Sequence, residues 1–156
     1  MIAPVSGVYV LIFKVARDTA VRVGSLGTVQ FPQGVYGYIG SARGAGGVRA
    51  RILHHTRKVK RRLWWHIDYL TVLPYVTPLY VVYSGTSRDA ESILAHQIGL
   101  SPCWSAHAEG FGSSDKSSST HLYLCRCSED VCLYSIAEAF RAIGFEPLIE
   151  KIDGAT

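Results

Sequence analysis

The sequence predicts an α+β protein with a central antiparallel or mixed sheet flanked by helices. Three observations predict it. Short runs dense in β-branched and aromatic residues recur along the chain, as in Gly7–Val15 (GVYVLIFKV) and residues 77–83 (TPLYVVY). Between and after them the apolar positions take helical spacing instead of strict alternation. A composition of 48% hydrophobic and 18% charged residues over 156 positions supplies one real core. No internal repeat or linker divides the chain, so residues 1–156 are expected to form one domain.

Taken in order, Gly7–Val15 reads as a buried strand. Residues 21–23 and Thr28–Phe31 flank Gly24-Ser25-Leu26-Gly27, a hairpin with a glycine-containing turn. Residues 35–39 form a short strand closed by Gly40, followed by a glycine-rich loop to Gly47. In residues 48–60, Val48, Ile52 and Val59 recur on one side of a helix. Residues 64–73 (WWHIDYLTVL) suggest a second short helix that stops at Pro74. Residues 77–83 read as a strand with Pro78 near its start, which suits an edge position. Thr86-Ser87 is expected to cap a helix over 88–98, with Asp89 and Glu91 in its favourable first turn. Residues 105–120 are loop-like, 121–126 form a last strand, and 131–143 form an amphipathic helix ending at Gly144.

The formal net charge of +4 conceals a division. Residues 1–67 hold eleven Lys and Arg against the single acid Asp18, whereas residues 68–156 carry a net charge of −6. Such asymmetry speaks about partners and not about fold, and a polyanion is the natural match for the basic half. The plain alternative is a solvated basic face. No apolar run is long enough to span a bilayer, and no secretory signal is evident, so a cytoplasmic, nucleoid-associated protein is expected. Cys125, Cys127 and Cys132 follow a C-x-C-x4-C spacing that suits no common zinc site, which leaves core thiols or one structural disulfide, with Cys103 available. The absence of Asn and scarcity of Met and Gln suggest a thermophile.

The residues that carry chemistry begin with two tyrosines in similar frames, Gly7-Val8-Tyr9 and Tyr38-Ile39-Gly40. The helix that follows has Arg51 and His55 at i, i+4, and the same stripe continues to Lys58 and Arg62. Glu91 opens a later helix. Each has an ordinary reading: core aromatics, a surface arginine, a first-turn glutamate facing the helix dipole.

Together these motifs resemble the GIY-YIG nuclease family over about residues 6–100, with residues 121–144 completing the domain. Gly7-Val8-Tyr9 stands where that family has GIY, and Tyr38-Ile39-Gly40 is its YIG unchanged. Arg51, His55 and Glu91 resemble the family's helix-borne arginine, the His or Tyr one turn later, and its metal-binding glutamate. The stretches YIGSA and WHIDYL resemble a prokaryotic branch whose members sometimes occur joined to an endonuclease III-like repair glycosylase. Two features depart from the family: the motifs lie farther apart than usual because a hairpin intervenes, and the late Asn is missing. Gly34-Val35-Tyr36 cannot supply a separate neighbouring strand, so Tyr9 takes the GIY role.

The resemblance implies a metal-dependent DNA endonuclease. Glu91 would hold one Mg2+ or Mn2+, Arg51 would contact the scissile phosphate, and Tyr9 with Tyr38 would orient or deprotonate water, with His55 as proton shuttle. A phenol acting as base at neutral pH needs neighbouring positive charge. Arg43, Arg49, Lys58 and Arg62 are expected to grip the nucleic acid. His66 is expected to make a structural hydrogen bond or join the site, and Asp115 or His121 could stand in for the missing Asn, as could Ser114. The link to a repair glycosylase points to abasic or damaged duplex DNA. Two further readings remain: a module that binds nucleic acid without cutting, and a Schiff-base lyase using Lys116.

Overall fold

The structure, a computed structural model, describes residues 1–112 and 120–152. Its frame is a six-stranded, wholly antiparallel sheet between two layers of helices. The strands are β1 (Gly7–Val15), β2 (Thr19–Arg22), β3 (Thr28–Phe31), β4 (Gly34–Ala42), β5 (Val76–Gly85), β6 (Trp104–Ala106), β7 (Leu122–Cys125) and β8 (Leu148–Lys151). The helices are α1 (Gly47–Thr56), α2 (Asp68–Thr71), α3 (Glu91–Gly99) and α4 (Glu129–Ala142). The sheet runs β6-β7-β4-β1-β5-β8, while β2 and β3 form a separate hairpin around a 3-10 turn at Gly24–Leu26.

β1 is apolar throughout its centre because both its faces are covered. Tyr9, Leu11, Phe13 and Val15 face the layer of α1, α2 and the hairpin; Val8, Val10 and Ile12 face α3 and α4. Tyr36 and Tyr38 stand on the same face as Tyr9, as their i, i+2 spacing requires. Tyr36 is spent structurally, its hydroxyl donating to the Pro32 carbonyl at 2.6 Å.

Several expected boundaries move. α1 stops at Thr56, where Arg57 turns extended, instead of running to residue 60. Beyond it the lysines turn inwards: the Lys58 ammonium donates to the carbonyls of Leu73 and Val76, and Lys60 Nζ reaches Asp68 Oδ1 at 2.8 Å. The helix expected over 64–73 contracts to the single turn of α2, because the Asp68 carboxylate accepts the backbone N–H groups of Trp64 and Trp65 and holds them in a tight turn. α3 begins at Glu91, since Thr86 Oγ1 accepts the Arg88 N–H in a local turn and caps no helix. α4 begins earlier than expected, capped by Ser128.

Pro78 lies on an interior strand, beside the irregularity that shifts the β1–β5 register and outside the segment of β5 paired with β8. β6 runs from Trp104 into the stretch expected to be loop, and β8 forms beyond the last element expected from the sequence. The cysteines form two disulfides, Cys103–Cys127 and Cys125–Cys132, where the spacing suggested at most one. No helix among the described residues is long and apolar enough to cross a membrane.

Candidate active site

The β1–β4 ladder builds the floor of the site. Tyr9 pairs with Gly40 and Leu11 with Tyr38, so the two phenols are diagonal neighbours on one face. Both motif glycines answer to close approach. A Cβ on Gly40 would lie 2.4 Å from Tyr9 Oη, and one on Gly7 would lie 2.1 Å from the Ser84 carbonyl oxygen of β5. The tyrosine ring therefore lies directly over the glycine of the second motif.

α1 packs across that face and buries His55 completely. The Tyr9 hydroxyl lies 2.7 Å from His55 Nε2, and His55 Nδ1 lies 3.3 Å from Asp68 Oδ1. Asp68 accepts from five donors: His54 Nε2, His55 Nδ1, Lys60 Nζ and the backbone nitrogens of Trp64 and Trp65. Burial works against its charge, but the hydrogen bonds from His55 and Lys60 hold its carboxyl well below the usual range. An ionised carboxylate only accepts, so the His55 proton sits on Nδ1 and Nε2 is left to accept from Tyr9. Burial pushes His55 down to about 4, against the hydrogen bond to Asp68, so the ring is neutral.

Tyr9 and Tyr38 line a cavity of about 280 Å3 with Ser41, Arg51, His66 and Glu91, walled by Trp64 and Trp65. Glu91 belongs to α3, which packs on the opposite face of the sheet, yet as the first residue of that helix it sends its carboxylate into this cavity. Its side chain is 12% exposed and its Oε2 lies 3.4 Å from Nδ1 of the buried His121. Arg51 is anchored by donation to the Ser41 carbonyl at 2.8 Å and lies 4.3 Å above the Trp65 ring. Burial foremost pushes both phenols well above their usual range; Tyr38 and Glu91 add to the shift of Tyr9, and Arg51 pulls it down. Both tyrosines are therefore protonated at neutral pH, and nearby positive charge does not free a phenolate at rest.

Tyr9, Tyr38, Arg51 and Glu91 thus meet in one cavity, with His55 behind Tyr9 and His121 behind Glu91. His66 lines the cavity too, but its Nδ1 accepts the Gly112 N–H at 2.7 Å, the structural bond considered for it. The expected cationic stripe does not form. His55 is internal, the Lys58 ammonium donates to backbone carbonyls, and Arg62, beyond the end of α1, lines a neighbouring cavity. Arg43 and Arg49 are exposed, the first donating to the Ser87 carbonyl and the second resting on Met1 Sδ. Ser114, Asp115 and Lys116 lie outside the described residues. Asp68 was missed. It sits in the WHIDYL stretch, where the helix expected over 64–73 does not announce a role beneath His55.

Among the described residues, no three His, Cys, Asp or Glu side chains are grouped to cage a metal. Glu91 supplies a carboxylate to this cavity, and among the described residues the buried Ser41 Oγ has no hydrogen-bond partner. A single carboxylate suits Mg2+ or Mn2+, which keep several waters and take their remaining ligands from phosphate oxygens.

Neither the curated proteins nor the solved structures contain a match to the chain. Residues 8–144, which include every residue of this cavity, match the family described as "Domain of unknown function DUF123", and the chain belongs to that family.

Proposed function

We propose that the protein is a metal-dependent endonuclease of the GIY-YIG type that hydrolyses phosphodiester bonds in DNA, serving repair at abasic or otherwise damaged sites. The observation that supports it most is the convergence of two phenols, a guanidinium and a carboxylate on one cavity, with Tyr9 backed by His55 and Asp68.

Arg51 holds the scissile phosphate through charge-assisted hydrogen bonds from the guanidinium nitrogens turned away from Ser41. Tyr9 donates its own proton to His55, so its oxygen faces the cavity as an acceptor, for Arg51 and for the attacking water that it orients towards phosphorus. The raised phenol and the depressed imidazole both oppose transfer in advance, so the Tyr9 proton passes to His55 and the water's proton to the Tyr9 oxygen only as the new P–O bond forms and the P–O bond to the departing oxygen breaks. Asp68 fixes the His55 tautomer and steadies the imidazolium that results. Tyr38 fixes the far side of the phosphate or the water. When bound at Glu91, Mg2+ or Mn2+ supplies polarisation of the phosphoryl group and neutralises the departing oxyanion.

Incubation of plain and abasic duplexes with Mg2+ or Mn2+ tests the reading. Strand breaks by the wild type and at least about 10²-fold fewer by Glu91→Gln are expected. A competing reading, binding without cleavage, is favoured by the exposed Arg43, Arg49 and Arg62; it predicts salt-sensitive retention of DNA with no product from either protein.

A further inference from the structure

Beside the Tyr9–Glu91 pocket lies a larger cavity of about 580 Å3, and Trp64 forms part of the wall of both. Its lining is unusual in two ways. Arg57, Arg61 and Arg62 supply three guanidinium groups, none held by a carboxylate among the described residues. Lys60 also lines it, but its ammonium is turned inwards onto Asp68. Trp64 is 66% exposed, a large apolar ring left open to solvent within a cationic surface.

That ring is not loose. The His54 imidazole stacks on it at 5.6 Å with the planes 13° apart, and His54 Nε2 is held by Asp68 Oδ2 at 3.2 Å. The backbone N–H of Trp64 is bound to the same oxygen at 3.0 Å. One carboxylate therefore sets both the Tyr9–His55 pair and the neighbouring aromatic platform. A ring ordered before binding loses little conformational freedom when a partner stacks on it. Planar stacking amid arginines is how proteins hold unpaired bases, and the cavity falls within the size range of small-ligand sites.

We propose that this cavity receives an unstacked nucleobase of the DNA strand whose phosphate occupies the Tyr9–Glu91 pocket, with the base stacked on Trp64 and the adjoining phosphates on Arg57, Arg61 and Arg62. The inference rests on the nuclease reading for what the first pocket holds, and adds the substrate class: a strand with a base out of the helix, as at a lesion, bulge or single-stranded segment. Base pairing and stacking in regular duplex must be broken to fill the cavity, so undistorted duplex is disfavoured.

The test is binding in EDTA at fixed salt, where no turnover occurs. Two labelled single strands of equal length and charge serve as probes, one ordinary DNA and one built of abasic tetrahydrofuran units. The wild type is expected to bind the base-bearing strand about tenfold tighter or more, and Trp64→Ala to remove that preference, weakening the base-bearing strand far more than the abasic one. Trp64→Phe restores most of the preference. Equal affinity of the wild type for both strands, or equal weakening of both by Trp64→Ala, overturns the proposal. A base-independent protein that still nicks DNA with Mg2+ rejects the base site and leaves the nuclease reading intact. Base-dependent binding by a protein that never nicks does the reverse.

Discussion

The Tyr9 hydroxyl and His55 Nε2 lie 2.7 Å apart in a fully buried contact, and the only proton placement consistent with the ionised Asp68 behind His55 makes the tyrosine the donor. The phenol therefore presents its lone pair, and not its proton, to the cavity it lines. Removing either partner should then cost turnover more than binding. Tyr9→Phe is expected to lower the DNA cleavage rate by about 10²–10⁴-fold, the range for losing a general acid or base, with DNA affinity nearly unchanged. His55→Gln should fall in the same direction by less. Single-turnover rates beside equilibrium binding separate the two effects, and a loss confined to affinity would contradict the assignment.

Asp68 carries a different burden. Asp68→Asn leaves the Lys60 ammonium, whose side chain is 1% exposed, without its counter-charge and forces an amide to face five donors. Breaking a buried ion pair from one side costs about 3–5 kcal/mol. A melting temperature lower by on the order of 10 °C is expected from that loss. Thermal unfolding followed by circular dichroism checks it; a shift under about 2 °C would show that the cluster is not the strut described.

Acid should loosen the fold in two windows. His55 is held neutral at about 4 by burial, below its usual 6.5, so the unfolded chain takes up a proton there that the folded chain refuses. Its stabilising contribution is complete above pH 6.5 and is lost as the pH falls towards 4, a difference on the order of 3 kcal/mol. The depressed carboxyl of Asp68 adds a further loss at lower pH, below the ordinary carboxylate range. Urea unfolding at intervals from pH 7.5 to 4 should show the upper window in the wild type and a flatter curve for His55→Gln. Parallel curves for the two proteins would contradict it.

Gly40→Ala tests the floor of the site. The added methyl would sit 2.4 Å from Tyr9 Oη, so the ring must swing away from His55. A cleavage rate reduced at least about tenfold and a stability loss of about 1–3 kcal/mol are expected, the latter typical of overpacking. Unchanged kinetics in this variant would mean that Tyr9 is not held where the chemistry needs it.

The parts of this arrangement legible in the sequence were those set by period. The apolar run of β1 and the i, i+2 tyrosines of β4 showed buried strands with Tyr36 and Tyr38 on one side, while the register that brings Tyr9 to that side and the burial of His55 against it came only with the fold. What escaped were positions decided by long-range polar contacts. α1 ends early because Lys58 and Lys60 find acceptors inside the protein, which no helical pattern announces. Asp68 falls within the helix expected over 64–73, and its ties to His54 and His55 exist only once the chain folds back. β6 and β8 are three- and four-residue strands at the edges of the sheet, too short for a pattern. The Cys103–Cys127 bridge follows from β6 lying beside β7, with Trp104 opposite Cys125, and Cys125–Cys132 ties β7 to α4; neither pairing is visible in the spacing.

The most direct measurement is strand scission of an abasic duplex by purified wild type and Glu91→Gln, each titrated with Mg2+ and Mn2+. The account predicts metal-dependent breaks from the wild type, cleavage by the variant reduced at least about 10²-fold, and comparable DNA binding by both proteins in EDTA. Equal cleavage by the two, or none by a wild type that binds the duplex tightly, contradicts it.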